Sequence, residues 1–380
     1  MKILSIVGAR PNFMKIAPFI RAIEKHNLIS ENKLQHILVH TGQHYDVRMS
    51  QSFFDDLHIP AVDIHLGVGS GSHAEQIGKT MMELEKVLQA EKPDWVVVVG
   101  DVNAICAGAI TAKKEHCMLA HIEAGLRSGD ITMPEEVNRL VADRLSDLLF
   151  TPDRMSDSNL IKEGVPKERI RFVGNIMIDT LEFERNNAEK LDPQVILQHN
   201  LLFSRSVLPV LQQNHFALVT LHRPTNVDYK EILSPIVHFL SEEVTKDIPV
   251  LWPIHPRTQK NLKDFGLYDE LSSNNQLVLL HPLGYHAMLR LNMSAKVVFT
   301  DSGGLQEECT VLGTPCLTLR WNTERPITLK KHGGASVLVG NNIERIRSEY
   351  LLTLKQTRNP VHPELWDGKT AERIVKHLAD

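Results

Sequence analysis

Short apolar runs recur along the whole chain, with amphipathic stretches between them. The runs are rich in β-branched residues and leucine, with little polar alternation, which is typical of strands buried on both faces of a parallel sheet. They form two series, at residues 3–7, 34–39, 95–99, 118–122, 148–150 and 170–173, and at 216–221, 249–254, 277–280, 297–300, 315–319 and 336–339. The pattern predicts an α/β fold.

Two series of strands predict two sheets, and 380 residues is a suitable length for two domains. We therefore expect two Rossmann-like, doubly wound parallel-sheet domains that face a central cleft, over residues 1–175 and 176–361. His362-Pro363 marks a break in the pattern, and residues 362–380, which begin with it, are expected to form a terminal helix. In open parallel sheets, ligands lie beyond the carboxyl ends of the strands, so the residues that follow each strand are candidates for function.

Composition narrows the classes of function. The chain has 42% hydrophobic and 23% charged residues, and no apolar run reaches the roughly 20 residues that span a bilayer. No secretory signal pattern opens the chain, so we expect a cytoplasmic protein without a membrane role. The formal net charge of −4 gives no general attraction for nucleic acid. The four cysteines lack metal-site spacing and are interpreted as small core residues.

The first half offers two cations and three carboxylates. Arg10 and Lys15 lie at a predicted helix start where they could reach an anion, and a solvated helix start is the alternative. The dinucleotide pattern GxGxxG is absent, which disfavours a dehydrogenase. Asp101 and Glu123 each follow a strand and could act as acid or base, or could be turn residues. Glu135 opens a helix, where it could also form a capping box with the threonine three residues before it.

The second half has two strands that end in histidine and arginine. His222-Arg223 follows one strand and His255-Pro256-Arg257 follows the next. An imidazole beside a guanidinium at two successive strand ends would suit a polyanionic ligand. Surface or core histidines are the alternative.

The most specific local pattern is a strand followed by Asp301-Ser302-Gly303-Gly304 and a helix. The glycines allow backbone N–H groups to approach a phosphate, Ser302 adds a donor, and the helix start contributes partial positive charge. Glu308, inside the helix, could reach a ribose diol. A well-capped helix without a ligand is the alternative. Arg325 follows another strand and could contact phosphate or uracil, or could pair with Glu324 in its loop.

Seven motifs, in order along nearly the whole chain, resemble those of the UDP-N-acetylglucosamine 2-epimerases, most closely the non-hydrolysing, ManNAc-forming branch. They are Gly8-Ala9-Arg10-Pro11, Gly100-Asp101, His121-Ile122-Glu123-Ala124-Gly125-Leu126-Arg127, Pro134-Glu135-Glu136-Val137-Asn138-Arg139, His222-Arg223, residues 301–308 and Thr323-Glu324-Arg325-Pro326. The resemblance implies a GT-B-type fold, with UDP held by the second domain and the sugar facing the first. It also implies a last helix that packs back on the N-terminal domain, and a homodimer.

The resemblance also assigns roles to residues. It implies that UDP is bound by Ser302, Gly303, Gly304 and Glu308, with assistance from Arg325, Arg10 and Lys15. Asp101, Glu123 and Glu135 would transfer protons, and His222 would stabilise or protonate the leaving phosphate. The implied reaction is reversible C2 epimerisation of UDP-GlcNAc to UDP-ManNAc, by elimination of UDP to 2-acetamidoglucal and re-addition, for surface polysaccharide precursors. This chemistry needs no metal and no other cofactor.

Three segments depart from the family pattern. Many relatives carry a threonine run in place of Val102-Asn103-Ala104 and an acidic residue in place of Trp321, and Tyr45 follows Gln43-His44 where substrate-activated relatives have arginine. The sugar substituents and activation by substrate therefore stay open. The alternatives are a 2-epimerase of a UDP-2,3-diacetamido sugar, a hydrolysing epimerase that releases ManNAc, a GT-B glycosyltransferase and a catalytically silent UDP-sugar sensor.

Overall fold

A computed structural model describes residues 1–42, 57, 59–205 and 207–380, and describes Arg10 by its backbone alone. The chain divides into two compact units, Met1–Phe183 with Pro363–Asp380, and Glu184–His362. The boundary predicted at residue 175 lies directly before a helix, Ile176–Glu189, that crosses this division. The segment Gln43-His44-Tyr45, which bears on activation by substrate, lies outside the described residues.

The first unit is built on a parallel sheet. Among the described residues its strands lie in the order β3-β2-β1-β4-β5-β6-β7. They are β1 (Lys2–Val7), β2 (Gln35–His40), β3 (Ile64–His65), β4 (Trp95–Val99), β5 (Met118–Ile122), β6 (Leu148–Thr151) and β7 (Ile170–Phe172). The helices between and after them are α1 (Arg10–Ile29), α2 (His73–Glu91), α3 (Asn103–Lys114), α4 (Pro134–Leu145), α5 (Arg154–Lys162) and α6 (Ile176–Glu189), with a 3-10 turn at Lys167–Arg169.

The second unit contains another parallel sheet. In the described part of the chain its strands lie in the order β10-β9-β8-β11-β12-β13. They are β8 (Ala217–Thr220), β9 (Val250–Pro253), β10 (Leu277–Leu280), β11 (Val297–Thr300), β12 (Cys316–Thr318) and β13 (Ser336–Leu338). The helices are α7 (Pro193–His199), α8 (Pro224–Val227), α9 (Lys230–His238), α10 (Thr245–Asp247), α11 (Pro256–Asp264), α12 (Tyr268–Ser273), α13 (Tyr285–Ser294), α14 (Gly303–Leu312) and α15 (Ile343–Leu354). A π-helical segment, Phe239–Val244, joins α9 to α10, and 3-10 turns lie at Pro326–Thr328 and Lys330–His332.

The end of the chain belongs to the first unit. Helix α16 (Thr370–Ala379) packs against α1, and Asp179 caps its start by accepting from the Thr370 and Ala371 N–H groups at 3.0 and 2.7 Å. Trp366, before the helix, donates from Nε1 to the Pro152 carbonyl at 2.9 Å. The terminal segment is therefore fixed to the unit that contains residue 1.

Burial on both sheet faces explains why the strands are continuously apolar. In β8, Leu218 and Val219 are both fully buried, yet they belong to separate cores on opposite faces of the sheet. Helix α1 shows the helical counterpart, because Ile16 and Phe19, spaced for one helix face, are both fully buried. The alternation of strand and helix predicted from the sequence is confirmed in both units.

No helix in the described ranges is long and apolar enough to cross a membrane.

Candidate active site

Asn12 organises the carboxyl edge of the first sheet. Its Oδ1 accepts from the Gly8 and Ala9 N–H groups at 3.0 Å each, and its Nδ2 donates to the Val99 carbonyl at 2.7 Å. These bonds join the turn before α1 to the end of β4. Arg10, the predicted phosphate contact, opens α1, and its side chain lies outside the described part of the structure.

Lys15 and Glu123 form a buried ion pair at this edge. Lys15 Nζ donates to Glu123 Oε2, and both residues are almost fully shielded from solvent. A Cβ atom on Gly100 would lie 2.9 Å from Lys15 Nζ and 3.4 Å from Glu123 Oε2, so the pair packs directly on this glycine. Gly100 also has a φ of +79°, which residues with side chains rarely adopt. The structure thus brings a predicted phosphate ligand and a predicted catalytic carboxylate into contact.

Glu123 adopts a left-handed backbone with a φ of +74°. This conformation is uncommon for a residue with a side chain, costs roughly 1–3 kcal/mol and is concentrated at functional sites. The backbone N–H groups of Glu123 and Ala124 both donate to the Phe150 carbonyl at 3.0 Å, which holds the turn against β6. This left-handed backbone sets the direction of the Glu123 side chain, and a residue that only forms a turn would not require it.

Asp101 is anchored by residues of α4. Arg139 Nη1 donates to Asp101 Oδ2 at 2.5 Å, and Asn138 Nδ2 donates to the Asp101 carbonyl at 2.9 Å. The Arg139 side chain is buried and pairs also with Glu136, whereas the Asp101 side chain remains 22% exposed. Asp101 is thus both held in place and accessible.

Glu136 stabilises the loop that precedes α4. Its carboxylate accepts from the Ser128 N–H and hydroxyl at 3.1 and 3.0 Å and from the Gly129 N–H at 3.1 Å. Burial opposes ionisation of Glu136, but Arg139 and these backbone donors outweigh it and lower the pKa of Glu136 below its ordinary value. Glu136 therefore serves as a fixed anion that supports Arg139.

Glu135 does not form the capping box that its spacing allowed. The N-cap of α4 is Met133, without a side-chain cap bond in the described structure, and Thr132 Oγ1 donates instead to Asp130 Oδ1 at 2.6 Å. Glu135 is partly exposed in the first turn of the helix. The capping box, which was the structural alternative to a catalytic role for Glu135, is therefore not formed.

Asp301 is the centre of the carboxyl edge of the second sheet. Its Oδ2 accepts from the His222 and Arg223 N–H groups at 3.0 and 2.9 Å and from Asn226 Nδ2 at 3.1 Å. Burial of Asp301 alone would raise its pKa, but His222 and the backbone donors outweigh burial and lower the pKa below its ordinary value. The Asp301 carboxylate therefore ties the end of β8 to the end of β11.

His222 is oriented by the same carboxylate. Its Nδ1 lies 2.9 Å from Asp301 Oδ1, and its side chain is 45% exposed. A carboxylate only accepts, so Nδ1 carries a proton and Nε2 is left for a ligand. The His255 ring lies 5.7 Å from the His222 ring, and Arg257 donates from Nε to Asp228 Oδ1 at 2.7 Å. One of the two predicted guanidinium groups is thus engaged in an ion pair.

The start of α14 has uncapped backbone donors. Ser302 is the N-cap, and in the described structure its side chain makes no cap bond. A Cβ atom on Gly303 would lie 2.5 Å from Arg325 Nη1 and 2.7 Å from Glu324 Oε1, so a larger residue would force the ends of these two paired side chains to shift. Gly304 follows within the first turn of the helix. The first N–H groups of the helix thus have the arrangement that binds phosphate in other proteins.

Glu308 lies one turn further along α14 and is buried. Burial raises its pKa to about 7, and the side chains of Tyr285 and Asn292 offset this only in part. A carboxyl group with this pKa exchanges its proton near neutral pH. Glu308 is therefore suited to accept a hydrogen bond from a ligand hydroxyl once it is ionised.

Arg325 lies in a buried charge cluster behind the turn at Gly303. Arg325 Nε lies 2.8 Å from Glu307 Oε1, and its Nη1 pairs with Glu324, which also pairs with Arg320 at 2.6 Å. Burial of Glu324 opposes ionisation, but Arg325 and Arg320 outweigh it and hold the pKa of Glu324 well below its ordinary range. The Glu324–Arg325 pair, the alternative given by the sequence, is present, and a direct contact of Arg325 with UDP stays a prediction.

Three further residues support the predicted ones, and local patterns did not single them out. Asn12 joins two strand ends, and His121 and Asp143 form a buried pair at 2.6 Å beneath Asp101 and Glu123. The signal in the sequence is that His121 lies inside the motif that carries Glu123, and that Asn12 directly follows the motif Gly8-Ala9-Arg10-Pro11. In the part of the chain that is described, no group of three or more His, Cys, Asp or Glu is arranged to hold a metal ion.

The two parallel α/β units, with carboxylates at one carboxyl edge and an open helix start at the other, place the chain among the GT-B-like enzymes. Residues 26–379 match the family model described as UDP-N-acetylglucosamine 2-epimerase. The chain belongs to this family and is an isomerase. The resemblance drawn from the seven motifs is therefore confirmed.

Full-length relatives and a solved structure support this assignment. A UDP-N-acetylglucosamine 2-epimerase of Methanocaldococcus jannaschii is 43% identical over 379 residues, covering 100% of this chain and 99% of the relative. A UDP-2,3-diacetamido-2,3-dideoxy-D-glucuronate 2-epimerase of Pseudomonas aeruginosa is 38% identical over 385 residues, covering 100% and 99%. The crystal structure of the M. jannaschii UDP-GlcNAc 2-epimerase in complex with UDP-GlcNAc and UDP matches with a TM-score of 0.88 and 42% identity, covering 100% of this chain and 99% of that one.

Proposed function

We propose that this enzyme interconverts UDP-GlcNAc and UDP-ManNAc by inverting C2, without releasing free sugar. The observation that carries the proposal is the pair of carboxylates Asp101 and Glu123 at one sheet edge, with Glu135 in the first turn of α4, in a chain whose close relative is a UDP-GlcNAc 2-epimerase. Inversion of a carbon that bears hydrogen requires removal and return of a proton, and carboxylates are suited to both steps.

The chemical obstacle is that the C2 hydrogen is not acidic while C1 keeps its bond to the phosphate oxygen. Departure of UDP with the electrons of the C1–O bond develops positive charge at C1, which acidifies the C2 hydrogen. A carboxylate takes that proton, and the C2–H electrons form the C1–C2 double bond of 2-acetamidoglucal. Return of a proton to the other face of C2, with attack of UDP at C1, gives the epimer. Atoms and electrons balance without an oxidant.

Asp101, Glu123 and Glu135 divide the proton transfers in this proposal. Asp101 is anchored by Arg139 yet accessible, and Glu135 is partly exposed. Glu123 is paired with Lys15. A substrate diphosphate would compete for the Lys15 ammonium and release the Glu123 carboxylate. Lys15 is thus proposed to bind phosphate only when it leaves Glu123.

His222 is proposed to assist the departing phosphate. Its Nδ1 proton is directed to Asp301, so Nε2 can donate to, or take a proton from, a phosphate oxygen. An imidazole oriented by a buried carboxylate is held in one tautomer, which removes the cost of reorienting it during the reaction.

UDP is proposed to bind at the start of α14. Ser302, Gly303 and Gly304 would donate to the diphosphate, and Glu308 would accept from the ribose hydroxyls. Arg325 would act mainly by supporting the turn, since it already pairs with Glu307 and Glu324. Arg10 is proposed to contact the phosphates on its motif alone.

The family resemblance alone supports three further parts of the proposal. They are a homodimeric state, a cytoplasmic location and use of the product as a precursor of surface polysaccharide.

A second candidate substrate is a UDP-2,3-diacetamido uronic acid. The observation that favours it is the 38% identity to a 2-epimerase of such a sugar, together with the changes at Val102-Asn103-Ala104 and the exposed Trp321. Both reactions invert C2, so the same catalytic groups would serve either sugar.

Incubation of the protein with each UDP-sugar alone tests the proposal, with ¹H NMR of the products. UDP-GlcNAc should give a mixture with UDP-ManNAc. Free ManNAc and UDP would indicate the hydrolysing reaction. If the protein converts the UDP-2,3-diacetamido uronic acid and leaves UDP-GlcNAc unchanged, the diacetamido sugar is the substrate. No change in either sugar without an acceptor would sink the epimerase proposal and favour a glycosyltransferase or a sensor.

A further inference from the structure

His121 lies in β5 and is fully buried. Its Nδ1 lies 2.6 Å from Asp143 Oδ1, and its Nε2 lies 2.8 Å from the Gly100 carbonyl oxygen. A carbonyl and an ionised carboxylate can only accept hydrogen bonds. Both ring nitrogens must therefore donate, and a ring that donates from both nitrogens is an imidazolium.

Asp143 is the counter-ion that this charge needs. Its other oxygen, Oδ2, accepts from the Gly125 N–H at 3.1 Å and from Arg127 Nη1 at 2.7 Å. Burial alone would raise the pKa of Asp143, but His121 and Arg127 outweigh burial and hold it below its ordinary value. Arg127 also pairs with Glu163 at 2.7 Å. The buried charges are thus compensated, as such groups must be away from water.

The pair connects the two turns that carry candidate catalytic carboxylates. His121 holds the Gly100 carbonyl, directly before Asp101, and Asp143 holds the Gly125 N–H, two residues after Glu123. The charged groups around the pair and its two turns are Arg127, Glu163, Lys15, Glu123, Asp101 and Arg139. The spacing of the two turns thus depends on a hydrogen-bonded unit that is itself inaccessible to substrate.

We propose that His121 and Asp143 form a positioning dyad, with His121 held as an imidazolium, that fixes the turns of Asp101 and Glu123 relative to each other. The catalytic part rests on the proposed function. Misplacement of a reacting group by about 1 Å can cost roughly 10²-fold in rate, so a device that fixes two carboxylates at once has a measurable kinetic consequence.

The protonation of His121 is read directly from ¹⁵N NMR of the full-length protein labelled with ¹⁵N-histidine, at pH 8. His36 is the matched internal control, because it lies in β2 of the same sheet and burial lowers its pKa to about 4, against a smaller opposing effect of Asp63. His36 should show one protonated ring nitrogen and His121 two. Loss of the His121 signals in the His121→Asn protein, or in the His121→Gln protein if the first fails to fold, assigns them.

A pair of substitutions tests positioning. An asparagine amide can replace Nδ1, and a glutamine amide can replace Nε2. His121→Asn therefore keeps a donor toward Asp143 and loses the bond to Gly100, whereas His121→Gln can keep the bond to Gly100. We expect His121→Asn to lower kcat about 10²-fold, and His121→Gln to recover part of that loss. UDP affinity should change less than threefold in both, because most of the proposed UDP contacts, Ser302, Gly303, Gly304 and Glu308, belong to the other unit.

Two results would overturn the dyad. One is a single protonated nitrogen on His121 at pH 8, which is measured on the unaltered protein and needs only one of the two variants to fold for its assignment. The other is equal kcat loss in the two variants, or no loss in either. Absence of turnover by the unaltered enzyme would refute the proposed function instead, while the NMR result would still decide the state of His121.

Discussion

Replacement of Asp301 by asparagine tests how His222 is held. Three donors converge on Asp301 Oδ2, from the backbone of His222 and Arg223 and from Asn226. The amide oxygen must take that place, because an NH₂ group would face three donors. The NH₂ group of the D301N side chain then faces His222 Nδ1. His222 must accept at Nδ1 and carry its proton on Nε2, which is the tautomer opposite to that in the native site.

The expected loss can be worked from these contacts. The equivalent tautomer change in a Ser-His-Asp triad costs roughly 10⁴ in kcat. The His222 side chain is 45% exposed, so water can partly restore its donors and we expect about 10²- to 10³-fold here. Charge-assisted hydrogen bonds are about twice as strong as neutral ones of about 1 kcal/mol, so weakening three of them costs up to about 3 kcal/mol of stability. Removal of a buried charge offsets part of this.

The assay is a double-mutant cycle with His222→Ala, in which kcat for epimerisation and the Kd of UDP are measured for each protein. If Asp301 acts through His222, D301N should cost little once His222 is absent, so the two losses should be far from additive. UDP affinity should change less than tenfold. The reasoning is refuted if D301N keeps kcat within threefold of the native enzyme, or if the two losses add in full.

Three other predictions each concern a single residue. Glu135→Gln should abolish hydrogen exchange at C2. UDP affinity and stability should stay nearly unchanged, because the partly exposed Glu135 carboxylate makes no capping box. Exchange at the native rate would refute the catalytic role of Glu135. Gly303→Ala should lower the free energy of unfolding, measured with urea, by about 1–3 kcal/mol, because its Cβ atom would lie 2.5 Å from Arg325 Nη1. The control is Gly78→Ala, where nothing lies within 4 Å of the added Cβ atom and the change should be neutral or stabilising. The pKa of Glu308 is raised from 4.5 to about 7, so between these pH values the folded protein binds more protons than the unfolded chain. The free energy of unfolding, measured with urea, should therefore fall by up to about 3 kcal/mol from pH 5 to pH 8. The fall should vanish in Glu308→Gln, and a native protein whose stability does not change with pH would contradict this.

The sequence predicted the strands well, because burial on both faces makes them continuously apolar. Trp95–Val99, Met118–Ile122, Leu277–Leu280 and Val297–Thr300 were predicted at the residues where the structure has them. Strand β3, Ile64–His65, was missed since two residues carry no periodic signal. The predicted boundary at 175 was drawn from the end of the first strand series and that at 361 from the His362-Pro363 break, whereas the compact units also depend on a helix that crosses the division.

The candidate site was predictable only as far as it is local in sequence. Asp101, Glu123 and His222 were found because each directly follows a strand. Their partners are remote, since Lys15 is 108 residues from Glu123 and Arg139 is 38 residues from Asp101. Such pairs depend on the order of strands in the sheet, which a single sequence does not state. Lys15 was accordingly predicted to bind UDP without its partner being recognised.

The remaining choices concern the sugar. Trp321 is 63% exposed and its ring lies against Gly340, where a Cβ atom would meet it at 2.6 Å. A large exposed aromatic side chain in place of an acidic one changes both the shape and the charge near the end of β12.

Incubation with UDP-GlcNAc in D₂O tests the central claim, that C2 is inverted by removal and return of a proton, most directly. The ¹H NMR signal at C2 should decline as deuterium enters both UDP-GlcNAc and UDP-ManNAc, while the C1 and C3 protons keep their intensity. Formation of the epimer with its original C2 hydrogen, or full retention of that hydrogen in UDP-GlcNAc with no epimer formed, would contradict the account.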